Sequence, residues 1–164
     1  MDANHFTLRA IKALSLAREA AKHFKQNGIG TEHLLLSIIR MEQEVYSKDL
    51  KRLGFNLKTI YSEIEKKSPP ESEEKIPKKL LYTPRVSKVL SFAKKEAEEL
   101  GQNIGTWHLL LGLLDESGGK AMQILKKLEI DIPNTRHEIL AGLKIPRRHP
   151  HEKIASLGES TMVR

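Results

Sequence analysis

The chain contains no cysteine. Disulfides, thiolate nucleophiles and cysteine-based zinc sites are excluded together, and the composition suits a reducing, cytoplasmic compartment. Aromatic residues are scarce, at 5% with a single Trp. A core built from Leu, Ile and Ala favours helix packing over a β-sandwich. Long hydrophobic runs are missing too. The longest, 34–39 and 109–114, fall far short of the ~18–20 residues that cross a bilayer, so no membrane partner is expected. Residues Met1 to His5 show neither a basic n-region nor an apolar h-region, so no secretory leader is expected.

Chemistry-bearing motifs are also wanting. A phosphate-cradling P-loop needs two glycines at set spacing followed by Lys and a hydroxyl residue. The only Gly-Lys pair, Gly119-Lys120, has Leu114 where the first glycine belongs and Ala121 where the hydroxyl belongs. No nucleophile–base or metal-ligand constellation stands out, so neither catalysis nor a cofactor is expected.

What is present is a globular composition, 39% apolar over 164 residues, with a net charge of +7. That is enough for one sizeable core or two small ones packed together. The surplus charge is mostly dispersed Lys on what read as solvated faces, without aromatic interleaving or a recognition motif. A basic nucleic-acid-binding helical protein is therefore an outside alternative, and nucleic acid an unlikely partner.

The sequence repeats itself. Thr7, Arg9, Lys12, Leu14, Ser15, Ala17 and Ala21 recur as Thr83, Arg85, Lys88, Leu90, Ser91, Ala93 and Ala97, an offset of 76 residues. Further on the offset becomes 75: IGTEHLLL from Ile29 returns as IGTWHLLL from Ile104, and Leu50 and Leu53 return as Leu125 and Leu128. One residue is thus missing from the second copy's first loop. Order and spacing persist through the unit, as expected of a duplicated structural repeat.

Each copy reads as four helices. Thr7 and Thr83 stand as N-caps, and Pro84 occupies the first helical position, where its missing N–H costs nothing. Ala10, Ala13, Leu14, Ala17 and Ala21, and likewise Val86, Val89, Leu90, Ala93 and Ala97, share one face at helical spacing. Glycines break the chain before a second, short and nearly all-apolar helix, for which Thr31 and Thr106 are the expected caps. Such a helix belongs at the centre of its repeat. A third ends at Leu53, with Gly54 as its stop. A fourth runs from about Asn56 to Lys67, and its counterpart opens near Pro133. The expected organisation is repeat 1 over 5–67, a Pro- and charge-rich linker over 68–81, repeat 2 over 82–143 and a flexible tail over 144–164.

Three features suggest binding. Thr7, Thr31, Thr83 and Thr106 lie at helix starts, where caps also favour anions. Glu32 in a first turn is stabilised by the helix dipole and could receive a guanidinium bidentately. Trp107 could either pack under the linker or anchor a partner. His33 and His108 recur without other ligands at metal spacing and read as structural.

The duplicated unit, with FT-x-R-A from Phe6, GTEH from Gly30, YTPR from Tyr82 and GT-x-H from Gly105, resembles the Clp N-terminal domain family. The likeness covers about residues 5–143, and the ClpC type is the nearest kind. The resemblance implies an all-α fold of two pseudo-twofold-related four-helix repeats. It implies docking of substrate and adaptor proteins for a Clp ATPase and protease rather than catalysis, whether as the N-domain of an AAA+ unfoldase or as a free-standing Clp-N regulator. It further implies recognition of phosphorylated arginine. Carried over residue by residue, Thr7 with Glu32 forms the first site. Thr83 and Thr106 belong to a second, weakened by Trp107 in place of the carboxylate, and Tyr82 is a further docking anchor.

Overall fold

The computed structural model describes residues 5–145; the tail expected from 144 onward lies, from residue 146, outside them. Seven α-helices and one 3-10 turn account for the described chain: α1 Leu8–His23, α2 Thr31–Leu53, α3 Leu57–Lys67, the turn Glu73–Lys75, α4 Pro84–Glu99, α5 Thr106–Asp115, α6 Lys120–Lys127 and α7 Ile132–Lys144. Helices α1–α3 form the first repeat and α4–α7 the second. The fold is all-α, and extended pairing among the described residues is limited to two isolated bridges.

The caps explain where the helices begin. Thr7 accepts from the Ala10 N–H at 3.1 Å and Thr83 from the Val86 N–H at 3.3 Å. Each satisfies an orphan donor of the first turn. Asn56 and Asp131 do the same for α3 and α7. Gly54 ends α2 with a left-handed φ of 100°, which costs a glycine nothing.

The apolar second helices are central. Residues 31–39 of α2 and 106–114 of α5 are all buried. Helix α1 covers α2 with an alanine stripe, Ala10, Ala13, Ala17, Ala20 and Ala21, and α4 covers α5 with Val86, Val89, Leu90, Ala93 and Ala97. Each buried Leu or Ile side chain contributes about 1.5–3 kcal/mol. Gly112 of α5 faces the α4 backbone so closely that a Cβ there would lie 2.5 Å from the Val89 carbonyl oxygen.

In the first repeat the expected second and third helices follow each other without a loop: α2 is two helices joined at a kink, where Tyr46 leaves helical geometry (φ −116°, ψ 34°). The second copy opens into a loop a few residues earlier in its register, where Gly118 and Gly119 stand in place of Gln43 and Glu44, and glycine weakens a helix interior by about 1 kcal/mol.

The repeats interlock reciprocally. Thr7 N–H donates to the Ile104 carbonyl at 2.9 Å and Ile104 N–H to His5 at 2.7 Å. In the equivalent place Thr83 N–H donates to the Ile29 carbonyl at 3.0 Å and Ile29 N–H to Leu81 at 2.9 Å. Each repeat's leading strand-like residues thus pair with the other's glycine loop, as a pseudo-twofold axis requires. Between the repeats, segment 68–81 runs against the end of α1. Gln26 donates to the carbonyls of Ser68 and Pro69 at 3.3 and 3.0 Å, and Leu80 is buried. None of the described helices is long and apolar enough to cross a membrane.

A candidate ligand groove between the repeats

The start of α2 differs from expectation. Its N-cap is Gly30, not Thr31, and the N-cap of α5 is Gly105, not Thr106. The capping comes instead from the third helical residue. His33 Nδ1 accepts from the Gly30 N–H at 2.9 Å, and His108 Nδ1 from the Gly105 N–H at 2.9 Å. This is a capping box with imidazole in the usual place of Glu or Gln, and it frees both threonine hydroxyls for other work. Thr31 Oγ1 accepts from the Ala121 N–H at 3.1 Å, which caps α6 of the opposite repeat. Thr106 Oγ1 donates to Glu42 at 2.6 Å.

Because the interlock exchanges the helix starts, the pairing of Thr7 with Glu32 is also corrected. Glu32 shares its groove with Thr31 and with Thr83 of the other repeat. Thr7 lies against Ile104, beside the second glycine loop.

The Glu32 groove gathers groups of both signs. Glu32 is only 5% exposed, in the first turn of α2 where the dipole favours a carboxylate. The Ser68 hydroxyl donates to its Oε2 at 3.2 Å, and the Lys120 ammonium stands 4.0 Å away while donating to the Ser68 oxygen at 3.0 Å. Around it stand Arg85 and Lys88 from the first turns of α4, and Gly118, Lys120 and Gln123 from the start of α6. Arg85 is steadied by Glu116 at 2.7 Å, whose other oxygen accepts from the Gly119 N–H at 3.0 Å. Three helix N-termini, those of α2, α4 and α6, thus meet at one depression, and such termini attract anions.

His33 adds a buried donor. Since Nδ1 accepts, the neutral ring carries its proton on Nε2. That nitrogen has no hydrogen-bond partner among the described residues, and it points to within 3.8 Å of Glu32 Oε2. Burial pushes the His33 pKa below its ordinary value; the nearby Glu32 charge opposes this and Lys120 reinforces it. His108 differs: its Nε2 meets Gln102 at 2.9 Å.

At the equivalent place in the second repeat, Trp107 replaces the carboxylate. The ring is 6% exposed and meets Tyr46 edge-on, centroids 5.3 Å apart. It packs against Tyr46 of α2 and lines a small pocket with Asp49, Arg52 and Glu138. Tyr82 is half-buried. It lines a second, largely apolar groove between α1 and α4 with Phe6, Ile11, Leu14 and Leu90, under the Arg18 guanidinium 5.9 Å from its ring centre.

Sequence reasoning missed Ser68, Arg85, Lys88 and Lys120. Arg85 and Lys88 carried a signal, since both recur between the copies. Ser68 and Lys120 carried none, because their approach to Glu32 is tertiary. Among the described residues no cluster of His, Asp and Glu is arranged to hold a metal ion.

Comparison with known proteins agrees with this architecture. Residues 5–104 and 82–157 match the family described as the Clp repeat (R) N-terminal domain. The chain is 38% identical over 136 residues to the Negative regulator of genetic competence ClpC/MecB of Bacillus subtilis, covering 82% of this chain and 16% of that protein. It is 38% identical over 141 residues to the Chaperone protein ClpB of Oceanobacillus iheyensis, covering 82% and 17%. The chain therefore spans about a sixth of the length of these relatives. In three dimensions it resembles the Hsp104 N-terminal domain of Candida albicans, with TM-score 0.69 at 20% identity, covering 82% of this chain and 89% of that one. It also resembles a ClpV N-domain solved with a VipB peptide, with TM-score 0.64 at 17% identity, covering 85% and 89%. A duplicated helical unit, interlocked through its glycine loops and matched in sequence along both copies, places this chain in the Clp N-terminal domain family.

Proposed function

We propose that this domain docks substrate or adaptor proteins for a cytoplasmic Clp-type AAA+ unfoldase, and that the Glu32 groove receives a phosphorylated arginine side chain. The observation that carries the reading is a nearly enclosed carboxylate among Arg85, Lys88 and Lys120 at three converging helix starts. Phosphoarginine bears a guanidinium and a phosphate on adjacent atoms, so it needs both signs within one small space. The guanidinium suits Glu32 through charge-assisted hydrogen bonds. The phosphate suits the N-terminus of α4 and the cations beside it.

The apolar groove beside Tyr82 supplies room for the surrounding peptide. A relative of the same fold, a ClpV N-domain, has been solved with a VipB peptide, which supports peptide docking by this architecture.

Titration calorimetry with phosphoarginine tests the reading. Binding at one site per chain is expected, abolished by Glu32→Gln and nearly unchanged by Trp107→Ala. Two equal sites, or binding that survives Glu32→Gln, would overturn the assignment.

A further inference from the structure

The Glu32 carboxylate has a cation of the chain's own beside it. Lys120 Nζ lies 4.0 Å from Glu32 Oε2 and reaches it through the Ser68 hydroxyl, which accepts from Lys120 at 3.0 Å and donates to Glu32 at 3.2 Å. We propose that Lys120 is a specificity residue: it occupies the place of a ligand cation and yields it only to a cation that brings its own anion. The proposal rests on the phosphoarginine reading of the groove and adds how that groove rejects the far more abundant unmodified arginine.

The physical reason is the exchange each ligand requires. A plain guanidinium entering on Glu32 sets two cations beside one carboxylate and leaves Lys120 with no anion in return. Like charges brought together in a partly desolvated space repel strongly. A phosphorylated guanidinium delivers an anion beside the cation. The Lys120 ammonium then moves from Glu32 to phosphate, and one ion pair replaces another.

Lys120 has the freedom to make this move. It is 41% exposed, on the first residue of α6, and its flexible stem carries a compact charge with rotatable donors. Glu32 does not share that freedom. It sits between α2 and Ser68 with the His33 Nε2–H at its back, so the lysine is the partner that moves.

Nearby cations do not offer the same device. Arg85 is committed to Glu116 at 2.7 Å, and Lys88 lines the groove without an ion pair to Glu32.

Lys120→Met keeps the length of the side chain and removes its charge. Calorimetry on the whole chain with two probes, doubly capped arginine and doubly capped phosphoarginine, reads the effect. In the Lys120→Met protein, capped arginine should bind about tenfold more tightly and capped phosphoarginine about tenfold more weakly, the scale of one charged hydrogen bond. Lys88→Met should weaken phosphoarginine without improving arginine, which separates Lys120 from a general loss of positive charge. An unchanged preference in Lys120→Met, with phosphoarginine still lost in Glu32→Gln, overturns the role of Lys120 while the groove reading stands. Survival of phosphoarginine binding in Glu32→Gln overturns the groove reading itself. Failure of capped arginine to gain affinity in Lys120→Met overturns the proposal whatever phosphoarginine does.

Discussion

Each apolar second helix is capped by an imidazole three residues into the helix, not by the side chain before it. Gly30 and Gly105 supply no side chain, so His33 and His108 reach back to their N–H groups. The arrangement needs an unprotonated Nδ1, and burial holds His33 neutral by pushing its pKa down. In the unfolded chain the ring titrates near 6.5. Below that pH the unfolded state binds a proton that the folded state resists, so this contribution is complete above about pH 6.5 and declines as the pH falls towards the depressed folded value. Between about pH 7 and 5, the melting temperature of the native chain should therefore fall more steeply than that of His33→Gln, whose side-chain oxygen still accepts from Gly30. Equal slopes would show that His33 protonation is not resisted.

At the scale of the element, the contact of α4 on α5 rests on the missing side chain of Gly112. Two effects oppose each other in Gly112→Ala. Helix propensity favours alanine by about 1 kcal/mol. Against it, the new Cβ would meet the Val89 carbonyl oxygen at 2.5 Å, a backbone atom that cannot rotate away. Overpacking of this kind costs about 1–3 kcal/mol, so the steric effect should prevail. Urea denaturation should show a net loss of up to about 2 kcal/mol. A gain in stability would mean that α4 slides off α5 at little cost. The same logic of small residues explains α1, whose alanines let it lie close on α2.

For the whole molecule, the repeats are not independent folding units. Helix α2 packs against α4, α5 and α6 as well as its own neighbours. Thr31 caps α6, Thr106 binds Glu42, and each leading segment hydrogen-bonds the other repeat's loop. Separating the halves would expose apolar faces of α2 and α5 together with several buried polar groups. Equilibrium unfolding should follow one cooperative transition, with Trp107 fluorescence and far-UV circular dichroism coinciding. Trp107 is a good reporter because it touches Tyr46 of the other repeat. Two separated transitions would show that each repeat carries its own stability.

Local rules in the residue order determined the duplication, the all-α class, the caps at Thr7 and Thr83, the stop at Gly54 and the burial of the two apolar helices. Capping, helical periodicity and glycine's left-handed backbone act within a few residues, so adjacent letters carry them. The place of Glu32 in a first helical turn was legible for the same reason. Tertiary structure alone decided what surrounds it. Docking exchanged the helix starts between repeats, which put Thr83 rather than Thr7 beside Glu32 and turned Thr31 into a cap for a helix some ninety residues away. Docking also brought Ser68, from the end of α3, and Lys120, from the start of α6, onto one carboxylate. Contacts between residues so far apart in the chain are fixed by how apolar helix faces pack, and no local pattern in the sequence records them.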